Sequence, residues 1–443
     1  MKKAALHNLG CKVNAYETEA MHQMLEEAGY EIVPWTARAD VYVINTCSVT
    51  NIADRKSRQM LHRVRRQNPE AVIVACGCYV QAFGEELVKE GIADVILGNN
   101  KKQYLVSMLA EYEKQNLAPG PVEYERLFSW EDINDGKRPY EPLAVKRMAE
   151  HTRAFIKVQD GCNQFCSYCI IPYTRGRVRS RGIPDILEEI RTLAAAGCKE
   201  IVLTGIHLSS YGTDTGSSLL DLIRQVHEVP GICRIRLGSL EPGIVSEEFA
   251  AALAGMKKIC PHFHLSLQSG CDTVLKRMNR KYDTAQYQMH CDILRQYFAH
   301  PAITTDVIVG FPGETAEEYE AGKHFLEQVR FYEMHVFKYS RRKGTKAAEM
   351  ENQVSEQEKA LRSAQLIELS KRMSEEYRES LCGQACIALL EEPFAYEGKN
   401  YYTGYTKEYV RVAVESKKGR ENCIAEGKII RKLVQDTYLM VEF

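Results

Sequence analysis

No apolar run in the 443-residue sequence approaches the roughly 18 residues needed to cross a bilayer. The N-terminus, Met1-Lys2-Lys3-Ala4-Ala5, leads into a strand-like segment without a signal-peptide core. A cytoplasmic protein with no membrane partner is therefore expected. Net charge is lacking too: 58 Lys and Arg against 59 Asp and Glu leave a formal charge of −1. Nucleic-acid binding, if present, must then come from local basic patches. In a reducing compartment the 15 cysteines are not a disulfide framework, and those at tight spacing read as metal-binding or catalytic. Cys198, Cys233, Cys260 and Cys291 lie among apolar neighbours and read as plain core residues.

The length suggests two to four folding units. Strand-like runs at Ala4–Leu9, Val41–Asn45, Ala71–Ala75 and Asp94–Leu97 alternate with helical stretches at Ala15–Ala28, Ala53–Gln67 and Gln81–Lys89. That alternation predicts an α/β fold with a doubly wound parallel sheet over residues 1–112. Residues 113–150 are polar, interrupted by Pro119, Pro121, Pro139 and Pro142, and read as a linker. Over 151–350 six strand patterns recur: Ala154–Val158, Glu200–Leu203, Arg234–Leu237, Phe263–Leu267, Thr304–Val309 and Met334–Lys338. With helical stretches between them they predict a six-stranded partial (β/α) barrel whose chemistry sits at the strand carboxyl ends. A charged connector helix is expected over 351–380. Residues 381–443, rich in Tyr and Val with Gly and Asn turns, predict a small antiparallel β-barrel.

The sharpest signal is Cys162-Asn163-Gln164-Phe165-Cys166-Ser167-Tyr168-Cys169, directly after the first barrel strand. Three thiolates on one short loop hold three irons of a 4Fe–4S cube and leave the fourth open. A zinc knuckle short of one ligand is the bland alternative. A second set is spread out: Cys11, Cys47, and the pair Cys76 and Cys78 each follow a predicted strand of the N-terminal sheet. Carboxyl ends of parallel strands share one edge, so these thiols can converge on a second metal site.

The cysteine loop resembles the signature of radical S-adenosylmethionine (SAM) enzymes. In that superfamily the open iron chelates the amino and carboxylate groups of SAM, and one-electron reduction yields a 5′-deoxyadenosyl radical. The resemblance assigns Cys162, Cys166 and Cys169 to the catalytic cluster and Tyr168 to the SAM adenine. Asn8–Asn14, Asn45–Thr50 and Gly77–Gln81 resemble the three ligand motifs of the methylthiotransferase N-terminal domain. This match implies a second 4Fe–4S cluster on Cys11, Cys47 and Cys78, with Cys76 an extra residue. Further matching stretches cover nearly the whole chain and imply SAM contacts at Thr204, Gly205, Gln268, Asp306 and Gly310; Ser239 and Glu241, at the end of the third strand, are candidates for SAM's polar groups, with a turn and helix cap as the alternative. Glycine at 205 and 310 would let a ligand approach the backbone closely.

Basic clusters at Arg55–Arg66, Arg175–Arg181 and Arg341–Lys343 offer charge for RNA phosphates, the Arg175–Arg181 run being nearest the cysteine loop. The C-terminal segment resembles a TRAM domain, an RNA-binding barrel. Its nine Lys and Arg balance nine Asp and Glu, so that reading rests on Tyr401, Tyr402, Tyr405 and Tyr409 beside Lys399, Lys407 and Arg411. Leu9–Asn14 followed by Tyr16–Glu19, together with Leu203–His207, resembles the branch acting on threonylcarbamoyl-adenosine. The implied reaction is methylthiolation of C2 of that nucleoside at position 37 of tRNA. One SAM would give the methyl group and a second the radical, with electrons from a flavodoxin- or ferredoxin-type reductant. The sister branches act on isopentenyl-adenosine in tRNA or on a ribosomal-protein aspartate. A cobalamin-dependent radical SAM enzyme would carry an Asp-x-His-x-x-Gly loop, which the sequence lacks. A non-catalytic iron–sulfur carrier would need no open iron.

Overall fold

The inner strands of the N-terminal sheet, such as Val41–Thr46 and Val72–Gly77, are apolar along most of their length, as a sheet covered on both faces requires. A computed structural model describes residues 1–117, 128–136, 138–147, 152–416 and 419–443. The N-terminal elements are β1 (Lys3–Asn8), α1 (Lys12–Glu27), β2 (Glu31–Ile32), β3 (Val41–Thr46), α2 (Asn51–Gln67), β4 (Val72–Gly77), α3 (Cys78–Glu90), β5 (Val95–Leu97), α4 (Leu105–Leu117) and β6 (Phe128–Ser129). They form one parallel sheet in the order β2-β1-β3-β4-β5-β6. Strand order reverses at β1 and β3, the switch point at which such sheets bind ligands.

The stretch read as a linker is more ordered than its prolines suggest. Helix α4 runs on to Leu117, and β6 extends the sheet. Downstream, Leu143 and Val145 are buried in the central core, and Tyr140 Oη donates to the Lys157 carbonyl at 2.7 Å. Pro119 and Pro121 lie outside the described residues.

The central unit comprises β7 (Arg153–Asp160), α5 (Ile171–Thr174), β8 (Arg179–Ser180), α6 (Ile183–Ala195), β9 (Glu200–Gly205), α7 (Leu219–His227), β10 (Arg234–Leu237), α8 (Glu247–Ala254), β11 (His262–His264), α9 (Asp272–Arg277), α10 (Thr284–Tyr297), β12 (Ala302–Val309), α11 (Ala316–Val329), β13 (Glu333–Lys338) and α12 (Lys346–Glu349). Two parallel runs, β7-β9-β10 and β11-β12-β13, are joined by bridges at Ile235–Ile259 and Leu240–Leu265, giving six barrel strands. The barrel does not close. β8 pairs antiparallel with β7 at one margin, and β13 forms the other. Helix α13 (Glu356–Ser380) lies against β13, where the Ser370 hydroxyl accepts from Met334 N at 3.0 Å and donates to Met334 O at 3.3 Å. Outward residues such as Ile156, Ile201, Leu203, Ile235 and Phe263 pack under the helices in one core. Inward positions are largely polar, as a ligand-holding lumen requires.

The C-terminal strands β14 (Ala385–Tyr396), β15 (Lys399–Thr406), β16 (Arg411–Glu415), β17 (Cys423–Val434) and β18 (Thr437–Glu442) close into a barrel in the order β14-β15-β16-β18-β17. The expected all-antiparallel pairing needs one correction: β16 and β18 run parallel, because the β17 strand intervenes as a crossover. Glu391, Glu392 and Pro393 interrupt the apolar pattern of β14, so the sequence does not announce this strand. A register shift between Leu390 and Glu392 accommodates them. Cys198, Cys260 and Cys291 are buried as expected, but Cys233 is exposed.

Candidate active site

Strand β7 ends at Asp160, and the cysteine loop follows. Its backbone is pinned from several sides. Cys162 N donates to Gly176 O at 3.0 Å, Ser167 N to Met278 O at 3.0 Å, and Ala347 N to Ser167 O at 2.8 Å. Asn279 Nδ2 donates to Phe165 O at 2.9 Å. Three non-glycine residues around the loop adopt left-handed backbone: Phe165 (φ 49°), Gln268 (φ 76°) and Asn279 (φ 61°). Strain of this kind collects where surrounding structure holds a functional geometry.

Cys162, Cys166, Tyr168 and Cys169 line a cavity of about 310 Å³ with Glu241, Gln268, Arg280 and Asp306. Arg280 Nη1 donates to Cys166 Sγ at 3.2 Å, while its Nη2 holds both oxygens of Glu241 at 2.8 and 2.7 Å. Burial pushes the Cys162 thiol up to about 11, and burial with the Cys166 charge takes Cys169 to about 12. Thiols held protonated by their surroundings ionise when a metal cation coordinates them, so the donor set fits an iron–sulfur cluster. Glu241 behaves oppositely. Burial opposes its charge, but His207 and Arg280 outweigh that and hold the carboxyl below its ordinary range.

The other SAM contacts read from the sequence are not brought to this cavity. Thr204 is buried in β9, and Ser239 is exposed beyond β10. A Cβ on Gly205 would meet Gln159 Oε1 at 2.8 Å, so that glycine serves strand packing. A Cβ on Gly310 would lie 2.3 Å from Lys359 Cγ. The close approach expected there is made by a side chain of α13.

On the N-terminal sheet Cys11 follows β1, Cys47 follows β3 and Cys78 opens α3 after β4, so three adjacent strands each deliver one thiol to the same edge. Cys11 caps α1 with no side-chain cap bond and no acid in the first turn, leaving the positive end of the helix dipole toward the thiols. Gly10 (φ 114°) is obligatory here: a Cβ would sit 2.8 Å from Cys47 Sγ. Burial raises Cys11 and Cys47, and negative charge on Cys78 raises both further, which places the three within electrostatic reach. Cys76 points the other way. Its Sγ is fully buried, 3.9 Å from Met21 Sδ and 3.6 Å from Ile44 O.

One buried arginine ties the two sites together. Arg175 Nε donates to Cys78 Sγ at 3.2 Å, and its guanidinium also reaches Glu17 at 2.8 Å, Asp160 at 3.2 Å and Asn14 Oδ1 at 2.6 Å. Lys157 bridges Glu17 and Asp160 at 2.7 and 2.6 Å; Lys102 lies 3.2 Å from Glu17 and 4.0 Å from Glu141; Arg179 lies 3.6 Å from Asp160. Four cations (Lys102, Lys157, Arg175, Arg179) thus face three carboxylates (Glu17, Asp160, Glu141). The missing negative charge is available from Cys78 as a metal-bound thiolate, so the network fits a metal at this edge.

That network overturns the phosphate reading of the Arg175–Arg181 run. Arg175, Arg179 and Arg181 are buried, and Arg181 pairs with Glu189; Arg177 alone is exposed. Arg342 is likewise buried against Asp54 and Ser48. By contrast Arg55, Lys56, Arg58, Arg63 and Arg66 are exposed along α2, which starts beside the cavity residues Val49 and Thr50. The tyrosines of the C-terminal barrel are also engaged. Tyr401 and Tyr402 are buried, while Tyr405 and Tyr409 stack at 4.6 Å. Arg236 lies 4.6 Å from the Tyr409 ring and Arg153 5.0 Å from that of Tyr405, which wedges the two barrels together. The Arg175 and Arg236 roles carried no local sequence signal, since their partners lie far along the chain.

Residues 3–98 match the uncharacterized protein family UPF0004, and residues 156–326 the radical SAM superfamily. The chain is 41% identical to the threonylcarbamoyladenosine tRNA methylthiotransferase MtaB of Bacillus subtilis (strain 168), over 97% of this chain and 93% of that one. It is 36% identical to a tRNA-2-methylthio-N(6)-dimethylallyladenosine synthase of Acetivibrio thermocellus, over 92% of this chain and 84% of that one. Among solved structures, the radical SAM methyltransferase TsrM of Kitasatospora setae is similar with a TM-score of 0.54 and 15% identity, over 76% of this chain and 73% of that one. This last likeness is one of fold.

Proposed function

We infer, from the premise that the chain belongs to the radical SAM tRNA methylthiotransferases in their threonylcarbamoyladenosine (MtaB) branch, that it converts N6-threonylcarbamoyladenosine beside the tRNA anticodon to its 2-methylthio form. The observation that carries this reading is that each parallel sheet brings a cysteine trio to its strand ends, with Arg175 bonded to Cys78 of one trio and to Asp160, which ends the strand leading into the other. The adenine C2–H bond is too weakly acidic for a side-chain base, so the hard chemistry falls to cofactors: SAM with the cluster on Cys162, Cys166 and Cys169 supplies the radical, and the cluster on Cys11, Cys47 and Cys78 the sulfur.

The chain's own residues bind and orient. Glu241, ionised by His207 and Arg280, suits the cationic amino group of SAM. Tyr168, edge-on to Phe311 at 6.4 Å, offers its ring to the adenine. Gln268 and Asp306 line the same cavity and complete its polar wall. Arg280 places positive charge against the cluster edge at Cys166. The exposed basic face of α2 takes the tRNA backbone. A flavodoxin- or ferredoxin-type protein delivers the electrons, and the reaction takes place in the cytoplasm, with its tRNA.

Nucleoside mass spectrometry of tRNA from cells lacking the protein, and from the same cells complemented, tests this directly. Loss and return of 2-methylthio-N6-threonylcarbamoyladenosine is expected; an unchanged level refutes it. Cys162→Ala should abolish SAM cleavage. Cys47→Ala should stop sulfur transfer while SAM is still cleaved.

A further inference from the structure

A second cavity, of about 430 Å³, lies where the lumen of the central barrel meets the C-terminal barrel; Lys12, Arg153, Arg236, His262, Tyr409 and Arg411 help line it. Its arginines are paired, although Glu200 is shared between Arg236 and Arg234. Arg153 is held by Glu391 at 2.6 Å, Arg411 by Glu392 at 2.8 Å and Arg236 by Glu200 at 3.0 Å. His262, buried and facing the cations Arg236 and Lys12, stays neutral. Lys12 is left over, with no ion pair or hydrogen bond among the described residues. An exposed ammonium that makes no ion pair, crowded by Arg236 and Arg153 and favoured only by the more distant charge of Asp306, is a site for an anion.

The position of Lys12 says which anion. It follows Cys11 directly, so it stands beside the edge that holds the second trio of thiols. Of the nucleosides methylthiolated by the relatives, threonylcarbamoyladenosine alone carries a carboxylate, on its N6 substituent; the dimethylallyl group is apolar. Purine N1 lies between C6 and C2, so a ureido group folded back to hydrogen-bond N1 swings its carboxylate toward the C2 side. A cation next to the sulfur-bearing edge is then within reach of the carboxylate when C2 faces that edge. Asp306, which lines the first cavity, disfavours placing the carboxylate there. A divalent metal at His264, Asp306 and His335, whose ligand atoms lie within 4.8 Å of one another, is opposed by Lys12 and Arg236 in the same lumen.

We propose that Lys12 binds the carboxylate of the threonylcarbamoyl group and selects this nucleoside over those with an apolar N6 substituent. The proposal rests on the function inferred above. The test uses reconstituted holoenzyme, as wild type, Lys12→Gln and Lys12→Arg. The substrates are two anticodon stem-loops differing only in the threonyl group, as free acid or as carboxamide. Wild type is expected to favour the acid by about 10- to 100-fold in kcat/KM, chiefly through KM. Lys12→Arg should keep most of that preference, and Lys12→Gln should bring the ratio close to one. Fluorescence-anisotropy titration of the same stem-loops should give the same ratios without turnover. Because each ratio is internal to one variant, a general loss of activity does not imitate the effect. Lys12→Gln retaining the acid preference overturns the proposal while leaving the functional reading intact. Wild type that methylthiolates neither stem-loop overturns both.

Discussion

Replacing Arg175 with Met probes the link between the two halves of the active site. The side chain is fully buried and satisfies Glu17, Asp160, Asn14 and Cys78 at once. Methionine fills much of the volume but removes one of four cations, leaving Lys102, Lys157 and Arg179 against Glu17, Asp160 and Glu141. With the Cys78 thiol protonated the network is then neutral. With Cys78 metal-bound as thiolate one buried negative charge is uncompensated. Breaking a buried ionic network from one side costs about 3–5 kcal/mol, and the two remaining cations at Glu17 argue for the lower end, about 3 kcal/mol. For a cooperative unit of this size that lowers Tm by about 6–12 °C.

The loss should be larger in cluster-loaded than in iron-free protein, read by calorimetry on both forms alongside iron content. Glu17 and Asp160 add a pH signature. Burial works against their charge, but Arg175, Lys102 and Lys157 at Glu17, and Lys157, Arg175 and Arg179 at Asp160, hold both carboxyls well below their ordinary values of 4.5 and 3.8. In the window below those values the unfolded chain binds more protons, so their contribution is complete above about pH 5 and is lost as pH falls. Arg175→Met should flatten that acid slope. A variant melting within about 1 kcal/mol of wild type, with full iron and an unchanged acid slope, refutes the reasoning.

Cys78→Ala should lose one cluster's worth of iron and its absorbance, whereas Cys76→Ala should keep both clusters and lose only about 1 kcal/mol to a small cavity. Replacing Arg55, Arg58, Arg63 and Arg66 together by Gln should weaken tRNA binding and reduce the slope of log K against log salt by about 3; an unchanged slope removes α2 from the RNA interface. Tyr409→Ala should cost about 2–3 kcal/mol and expose the junction between α13 and β14 to protease, while Tyr409→Phe should melt like wild type because its ring, not its hydroxyl, meets Arg236 and Arg153.

The cysteine loop was legible because its spacing is local and its place after a strand follows from β/α alternation. The second trio was legible for a related reason: parallel strands send their carboxyl ends to one edge, so Cys11, Cys47 and Cys78 could be grouped without knowing a single distance. Choosing between Cys76 and Cys78 needed the family resemblance; both are buried, with Cys76 Sγ turned to Met21 and Cys78 Sγ to Arg175. What failed was reading charge and aromatic runs as surfaces. Arg175 finds Glu17 across 158 positions, and Arg236 finds Lys407 O across 171; no local pattern announces such partners. Lys12 was legible only as part of the Leu9–Asn14 motif, not as an unpaired cation. Nothing in a sequence marks a cation that lacks a partner.

The unclosed central barrel carries a hazard that its other features offset. A strand with unpaired amides and carbonyls invites a strand from another molecule, the first step toward aggregation. Here β8 at one margin is two residues long, and at the other the Ser370 hydroxyl occupies both hydrogen-bonding groups of Met334, the second residue of β13. The C-terminal barrel, being closed, offers no such margin. The central barrel can therefore stay open while both of its margins are protected from pairing with a further strand. Ser370→Ala, which bares both groups of Met334 without breaking α13, is the change that would expose this margin.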